Sequence, residues 1–264
     1  MNKKYYSGSI GTFYYDDTEW QIDDYGYLKY IGGKVEGIVI PDGVKNCSWM
    51  FSGCSSLIKA PIIPDSVENC RSMFDRCVRL ERPPIIPNSV KNCSGMFKEC
   101  GLLEYPTIIP NSVRDCSGMF SNCISLEQPP AISNSVKNCS EMFSGCTSLI
   151  KAPIIPDSVE NCSEMFSHCI SLEQPPIIPS SVKNCSWMFS GCSSLRQAPD
   201  IPGSVENYSG MFDYCNLKQP PKYPQKFEEE EESYHHIIID NNGGYYDEYG
   251  DYHDPYYDPR YMMF

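Results

Sequence analysis

Cysteine recurs in this chain with a regularity that leaves few folds open. One column reads Cys47, Cys70, Cys93, Cys116, Cys139, Cys162 and Cys185, with Tyr208 in the eighth place, and a second runs from Cys54 through Cys77, Cys100, Cys123, Cys146, Cys169 and Cys192 to Cys215. Every step is 23 residues, and the two columns use all 15 cysteines. A unit this short cannot bury its own apolar face, so copies at a fixed period must stack into a solenoid with one continuous core. Eight rungs fit between residues 41 and 221. Ser56–Cys70 is identical to Ser148–Cys162, and Val44–Leu57 to Val182–Leu195, so the array grew by duplication. Its last rung, around Cys215-Asn216-Leu217, is one residue short, as terminal repeats tend to be.

Within a rung, Cys70, Met73, Phe74, Cys77 and Leu80 share one face at helical spacing, which predicts a short helix. Asn69 or the residue after it would be the N-cap, with Ser94, Ser117, Ser140, Ser163 and Ser186 just behind that place in other rungs. Gly53, Gly145 and Gly191 suit its end. The other half, Leu57-Ile-Lys-Ala-Pro-Ile-Ile-Pro64, carries two prolines, so it predicts a short extended segment, bonded to the rungs on either side as a narrow parallel sheet. Pro64-Asp65-Ser66 closes the coil as a turn.

Outside the repeat, Trp20–Gly33 alternates apolar and polar residues around Asp24–Gly26 and predicts a β-hairpin. Trp20, Ile22, Leu28 and Ile31 are then expected to cover the open edge of the first rung. After Pro224 come five glutamates, Glu228–Glu232, and a tyrosine-rich acidic stretch, in which Ile237–Ile239 predicts a strand and the residues beyond Gly244 disorder. The division is therefore 1–40, an N-terminal β cap; 41–221, the solenoid; and 222–264, an acidic C-terminal cap or tail.

Net charge is −13, of which residues 222–264 supply −8. Without a basic face, a nucleic-acid partner is not expected. No stretch approaches the ~18 consecutive apolar residues of a membrane span, so no membrane insertion is expected either. The cysteine gaps alternate between 7 and 16 residues, unlike the close pairs of a zinc site. They read as small apolar fillers of a reduced core, although stacked columns would also bring thiols near disulfide distance. His168 stands where other rungs carry Gly, Glu, Arg, Asn or Tyr and reads as a solvated turn residue. With no nucleophile beside a base and no distinctive carboxylate pair, no enzyme, catalytic residue, metal or cofactor is expected. Six Asn-x-Ser sequons, from Asn46 to Asn207, follow from an Asn column set beside a Ser column. Those asparagines are expected to hydrogen-bond the backbone of adjacent rungs.

Two isoleucine columns differ in a way that points to a surface. Ile63, Ile86, Ile109, Ile132, Ile155, Ile178 and Ile201 never vary, as a core ladder should, whereas the column before them reads Ile62, Ile85, Ile108, Ala131, Ile154, Ile177 and Asp200. A core does not accept aspartate easily. The second column is therefore expected to face solvent as an apolar stripe suited to an interface, unless it packs against the neighbouring prolines. The candidate binding residues are Ile62, Ile85, Ile108, Ile154 and Ile177, flanked by Lys59, Arg82, Tyr105 and Lys151.

The rung Leu-x-x-x-Pro-x-Ile-Pro-x-Ser-Val-x-x-Cys-x-x-Met-Phe-x-x-Cys-x-x-Leu resembles the BspA-type leucine-rich repeats over about residues 20–221. Its Met-Phe-Ser-Gly-Cys-Ser-Ser-Leu core is similar to the related repeats of mycoplasma lipoproteins. The resemblance implies a right-handed α/β leucine-rich-repeat solenoid, with short parallel strands on one face and short helices on the other. It also implies a role in adhesion or in recognising a host or partner protein, as in bacterial, protist and viral members, at a cell surface or on a virion. The absent signal peptide and the reduced cysteines favour the cytoplasm instead. The expected function is a non-enzymatic scaffold binding a protein, or a glycan, through the sheet face; the alternative is an assembly protein that self-associates through the Ile stripe or the acidic Tyr-rich tail.

Overall fold

The computed structural model describes residues 11–15, 18–22, 28–33, 38–40, 43–224, 238–239, 245–246 and 252–253. Near the N-terminus, strands β1 (Gly11–Tyr15), β2 (Thr18–Ile22) and β3 (Leu28–Gly33) form an antiparallel sheet in that order. The expected hairpin is β2 and β3, with Ile22 opposite Leu28. Its turn, and the side chains of Trp20, Ile22, Leu28 and Ile31, lie outside the described residues. Tyr30 makes the junction with the repeats: its N–H donates to the Met50 carbonyl at 2.8 Å and its ring lies 5.6 Å from that of Phe51.

The expected helices are absent among the described residues, and the backbone hydrogen bonds explain why. The N–H groups of Cys47, Trp49, Phe51 and Gly53 leave their own rung and donate to the carbonyls of Asn69, Arg71, Met73 and Asp75 in the next, at 2.8–3.0 Å. The alternate N–H groups, on Met50, Ser52 and Cys54, close three-residue turns onto Cys47, Trp49 and Phe51 at 3.0–3.2 Å. A helix would send every donor along its own axis to the residue four before it. Here half the donors serve as rung-to-rung glue, so the segment is a ribbon of overlapping turns.

That ribbon needs a left-handed residue twice per rung. One column holds Trp49, Ser72, Gly95, Gly118, Glu141, Glu164, Trp187 and Gly210, and the other holds Gly53, Arg76, Glu99, Asn122, Gly145, His168, Gly191 and Tyr214; all have φ between 50° and 76°. Gly53, Gly145 and Gly191, expected at the end of a helix, fall instead in the second of these left-handed columns, with no helix to end.

The parallel ladder also lies elsewhere than expected. Continuous parallel bridges run through the Asn column, from Asn46 to Asn69, Asn92, Asp115, Asn138, Asn161, Asn184 and Asn207. The proline-flanked isoleucine segment carries only the Lys59–Arg82 and Lys151–Gln174 bridges, because proline has no N–H to give. The Asn side chains do not reach across rungs either: each Oδ1, like that of Asp115, accepts the N–H two residues on in its own rung, at 2.8–3.1 Å. Their backbone, not their amide, does the cross-rung bonding.

Inside, the core is a set of ladders of identical side chains. Phe51, Phe74, Phe97, Phe120, Phe143, Phe166, Phe189 and Phe212 stack with centroids 5.5–5.8 Å apart and planes within 20°. This spacing suits offset aromatic stacking. Val, Cys, Met and Leu columns fill the space around the rings. In the C-terminal segment, β4 (Ile238–Ile239), β5 (Tyr245–Tyr246) and β6 (Tyr252–His253) pair antiparallel. The expected strand within Ile237–Ile239 is thus joined by two strands past Gly244, where the sequence reading expects disorder.

Candidate binding face

Extended backbone turns successive side chains to opposite sides. Ile63, Ile86, Ile109, Ile155 and Ile178 accordingly point inward and are buried, while their neighbours Ile62, Ile85, Ile108, Ile154 and Ile177 point out and are 87–90% exposed. Such exposure is well beyond the half-exposure of the other surface-facing large apolar residues. Ala131 and Asp200 complete the outward column and are exposed too. The alternative that the stripe packs against its prolines is thereby excluded.

Lys59, Arg82, Tyr105 and Lys151, three residues before the isoleucines of their rungs, are exposed as well. No backbone hydrogen bond among the described residues uses the N–H groups of the five isoleucines. Their segment therefore presents open backbone donors beside an apolar ridge.

The cysteine columns lie inside the array and not on the isoleucine face. All 15 are free thiols, 13 of them buried. Burial pushes the thiol of Cys54 up to about 11 and those of Cys70, Cys100, Cys139, Cys146, Cys185 and Cys215 up to about 12, so thiolate is scarce at neutral pH. The outer column has a more particular role, which sequence reasoning missed. Each thiol from Cys77 to Cys215 donates to the carbonyl of the Phe 26 residues before it, at 3.0–3.1 Å.

A second missed feature lies past the Pro-Asp/Asn-Ser turn. Two residues before each inner cysteine position stand Lys45, Glu68, Lys91, Arg114, Lys137, Glu160, Lys183 and Glu206. Ion pairs join Lys45 to Glu68 at 3.7 Å, Lys91 to Glu68 at 2.6 Å, Lys137 to Glu160 at 2.6 Å and Lys183 to Glu206 at 3.5 Å. The hydrogen bond and charge of Lys91, with Lys45 beside it, hold the Glu68 carboxyl below its ordinary range. The near-alternation of sign along this column was the signal available in the sequence.

A family model described as the BspA type leucine rich repeat region, in six copies, matches residues 21–149 and 116–234. The chain belongs to this BspA-type leucine-rich repeat family. Proteins with leucine-rich repeats are generally protein-binding scaffolds and typically not enzymes. Among solved structures, a leucine-rich repeat protein from Eubacterium ventriosum ATCC 27560 is similar at 20% identity and a TM-score of 0.54, over 85% of this chain and 54% of its own. One from Bacteroides ovatus ATCC 8483 aligns at 21% identity and a TM-score of 0.47, over 73% of this chain and 60% of its own. The T. pallidum leucine-rich repeat protein aligns at 22% identity and a TM-score of 0.44, over 76% and 88%. The first of these likenesses bears on the fold alone, and the chain spans little more than half the length of that relative. Among curated proteins no match is found.

Proposed function

We propose that this BspA-type repeat protein is a non-enzymatic scaffold that recognises a protein partner, as an adhesin or recognition module, through the stripe Ile62, Ile85, Ile108, Ile154 and Ile177. The observation that carries the reading is the 87–90% exposure of five isoleucines in one column of the array. Each isoleucine buried by a partner contributes about 1.5–3 kcal/mol, so a few suffice for a specific complex before the costs of association. Lys59, Arg82, Tyr105 and Lys151 would form the polar rim. The buried, reduced thiols support folding in a reducing compartment.

The test uses the triple variant I85D/I108D/I154D. Asp200 already occupies this column, so the variant should melt within a few degrees of the parent. Partners captured by the parent array should be lost by the variant, and retention of every partner by a folded variant would remove the stripe from the function.

A second reading is self-assembly. A ladder of identical side chains at one pitch is complementary to itself, so two copies can pair isologously along it. Light scattering over a wide concentration range separates the readings: a scaffold waiting for a foreign partner keeps its monomer mass, whereas assembly gives a concentration-dependent mass that the triple variant abolishes.

A further inference from the structure

We infer that the ridge Lys91–Arg114–Lys137 is a second docking site, for an extended segment of a partner protein carrying two carboxylates. Along the charge column the signs run Lys45 plus, Glu68 minus, Lys91 plus, then Arg114, then Lys137 plus, Glu160 minus, Lys183 plus and Glu206 minus. An acid at position 114 would make the alternation perfect; Arg114 alone breaks it. Like charges stacked on neighbouring rungs are unfavourable, and this break stacks three cations in succession.

Nothing among the described residues relieves it. Lys91 is committed to Glu68 and Lys137 to Glu160, but Arg114 has no carboxylate partner. Its Nη1 donates only to the carbonyls of Asn111 and Val113, at 3.0 and 3.4 Å. The adjacent Asp115 makes no ion pair, and its Oδ1 instead accepts the Ser117 N–H at 3.0 Å. A local rule broken at one position, with no compensating anion in the fold, points to compensation from outside.

A groove meets the Lys91–Arg114 half of the ridge. With a volume of about 640 Å³, it extends from Lys45 to Arg114, walled by Lys91, Arg114, Ser89 and Ser112 together with the carboxylates of Asp65 and Glu68; Lys137 is not among its walls. In the same serine column, Ser66, Ser135, Ser158 and Ser204 donate to a valine carbonyl of the preceding rung. The Ser89 and Ser112 hydroxyls, like that of Ser181 further along the column, have no such partner. Three cations leave two gaps, one on each side of Arg114, separated by one rung interval; the rings of Phe97, Phe120 and Phe143 put that interval at 5.6–5.8 Å. Carboxylates on alternate residues of an extended peptide lie about 6.6–6.8 Å apart, close enough to fill both gaps at once. The planar guanidinium between them can serve each with a charge-assisted hydrogen bond. A nucleic acid fits less well, because its phosphates would continue past the ridge onto Glu68 and Glu160 of a chain whose net charge is −13.

The test is anisotropy of a fluorescein-labelled Glu-Ala-Glu-Ala-Glu peptide with the full chain at low ionic strength. Saturable binding is expected that weakens with salt and vanishes for the Gln-Ala-Gln-Ala-Gln peptide. Arg114→Lys, which keeps the charge but loses the fork, should lose about threefold to fivefold, while Arg114→Glu should lose about tenfold or more. Arg114→Glu should nonetheless raise the melting temperature by about 1–4 °C, because it completes the alternating ladder. I85D/I108D/I154D should bind this peptide as the parent does, so failure of the isoleucine reading and of this one are distinguishable. Unchanged affinity in Arg114→Glu, a lowered melting temperature there, no saturable binding by the parent, or tighter binding of a five-phosphate single-stranded oligonucleotide would each overturn the proposal.

Discussion

At the scale of the residue, cysteine does what no other small side chain would. It fills a buried niche as an apolar group, and in the outer column its S–H also satisfies a Phe carbonyl of the preceding rung that already accepts one N–H. Cys123 and Cys116 are both fully buried, but only Cys123 makes this bond, to the Phe97 carbonyl. Cys123→Ala is therefore expected to destabilise by about 1–2 kcal/mol, and Cys116→Ala by about half a kcal/mol to 1 kcal/mol less, compared by urea midpoint. Equal losses would reduce the outer column to packing. The burial of both columns was legible from their period and from their neighbours Met and Phe. The hydrogen bond was not, because it joins residues 26 apart and depends on the pitch between rungs.

At the scale of the element, the repeat is held by turns that reuse alternate donors. The spacing of Cys70, Met73, Phe74, Cys77 and Leu80 reads as helical because periodicity reports which side chains share the inside, and a ribbon of overlapping turns puts the same ones there. What distinguishes the two is the left-handed residue at two fixed places per rung. Glycine at Gly95, Gly118 and Gly210 was a partial clue, but Glu141, Glu164 and Trp187 take the same conformation at φ 55–57°. A left-handed non-glycine residue costs about 1–2 kcal/mol, partly offset by its smaller loss of chain entropy. Glu164→Gly is thus expected to stabilise by about 0.5–1 kcal/mol, seen as a raised melting temperature. If the segment were helical, the same substitution would destabilise by about 1 kcal/mol.

At the scale of the whole molecule, 15 thiols in one core tie stability to pH. An unfolded thiol ionises near ~8.5, whereas burial holds the folded thiols well above that. A group whose folded pKa is raised contributes its full stability below the unfolded pKa and loses it as pH rises. Each buried thiol then loses about 1.4 kcal/mol per pH unit above ~8.5. With 13 buried thiols the combined slope is on the order of 10 kcal/mol per unit. The chain, kept in reductant, is expected to unfold steeply between about pH 9 and 11, followed by circular dichroism together with the count of alkylated cysteines. Intact folding at pH 11 would mean that the thiols are not packed as described.

The sequence by itself determined the period, the two cysteine columns, the inward Ile63 ladder and the outward Ile62 stripe, because each needs only the rule that identical positions stack and that Asp200 does not enter a core. It also carried the hairpin of β2 and β3 in its alternation. Tertiary structure alone decided where the backbone donors go: to the next rung from Cys47, Trp49, Phe51 and Gly53, and along the Asn column rather than the isoleucine segment. Once rungs lie 5.5–5.8 Å apart, an N–H has a carbonyl in the next rung as near as any in its own turn, a choice set by a neighbour far away in the chain.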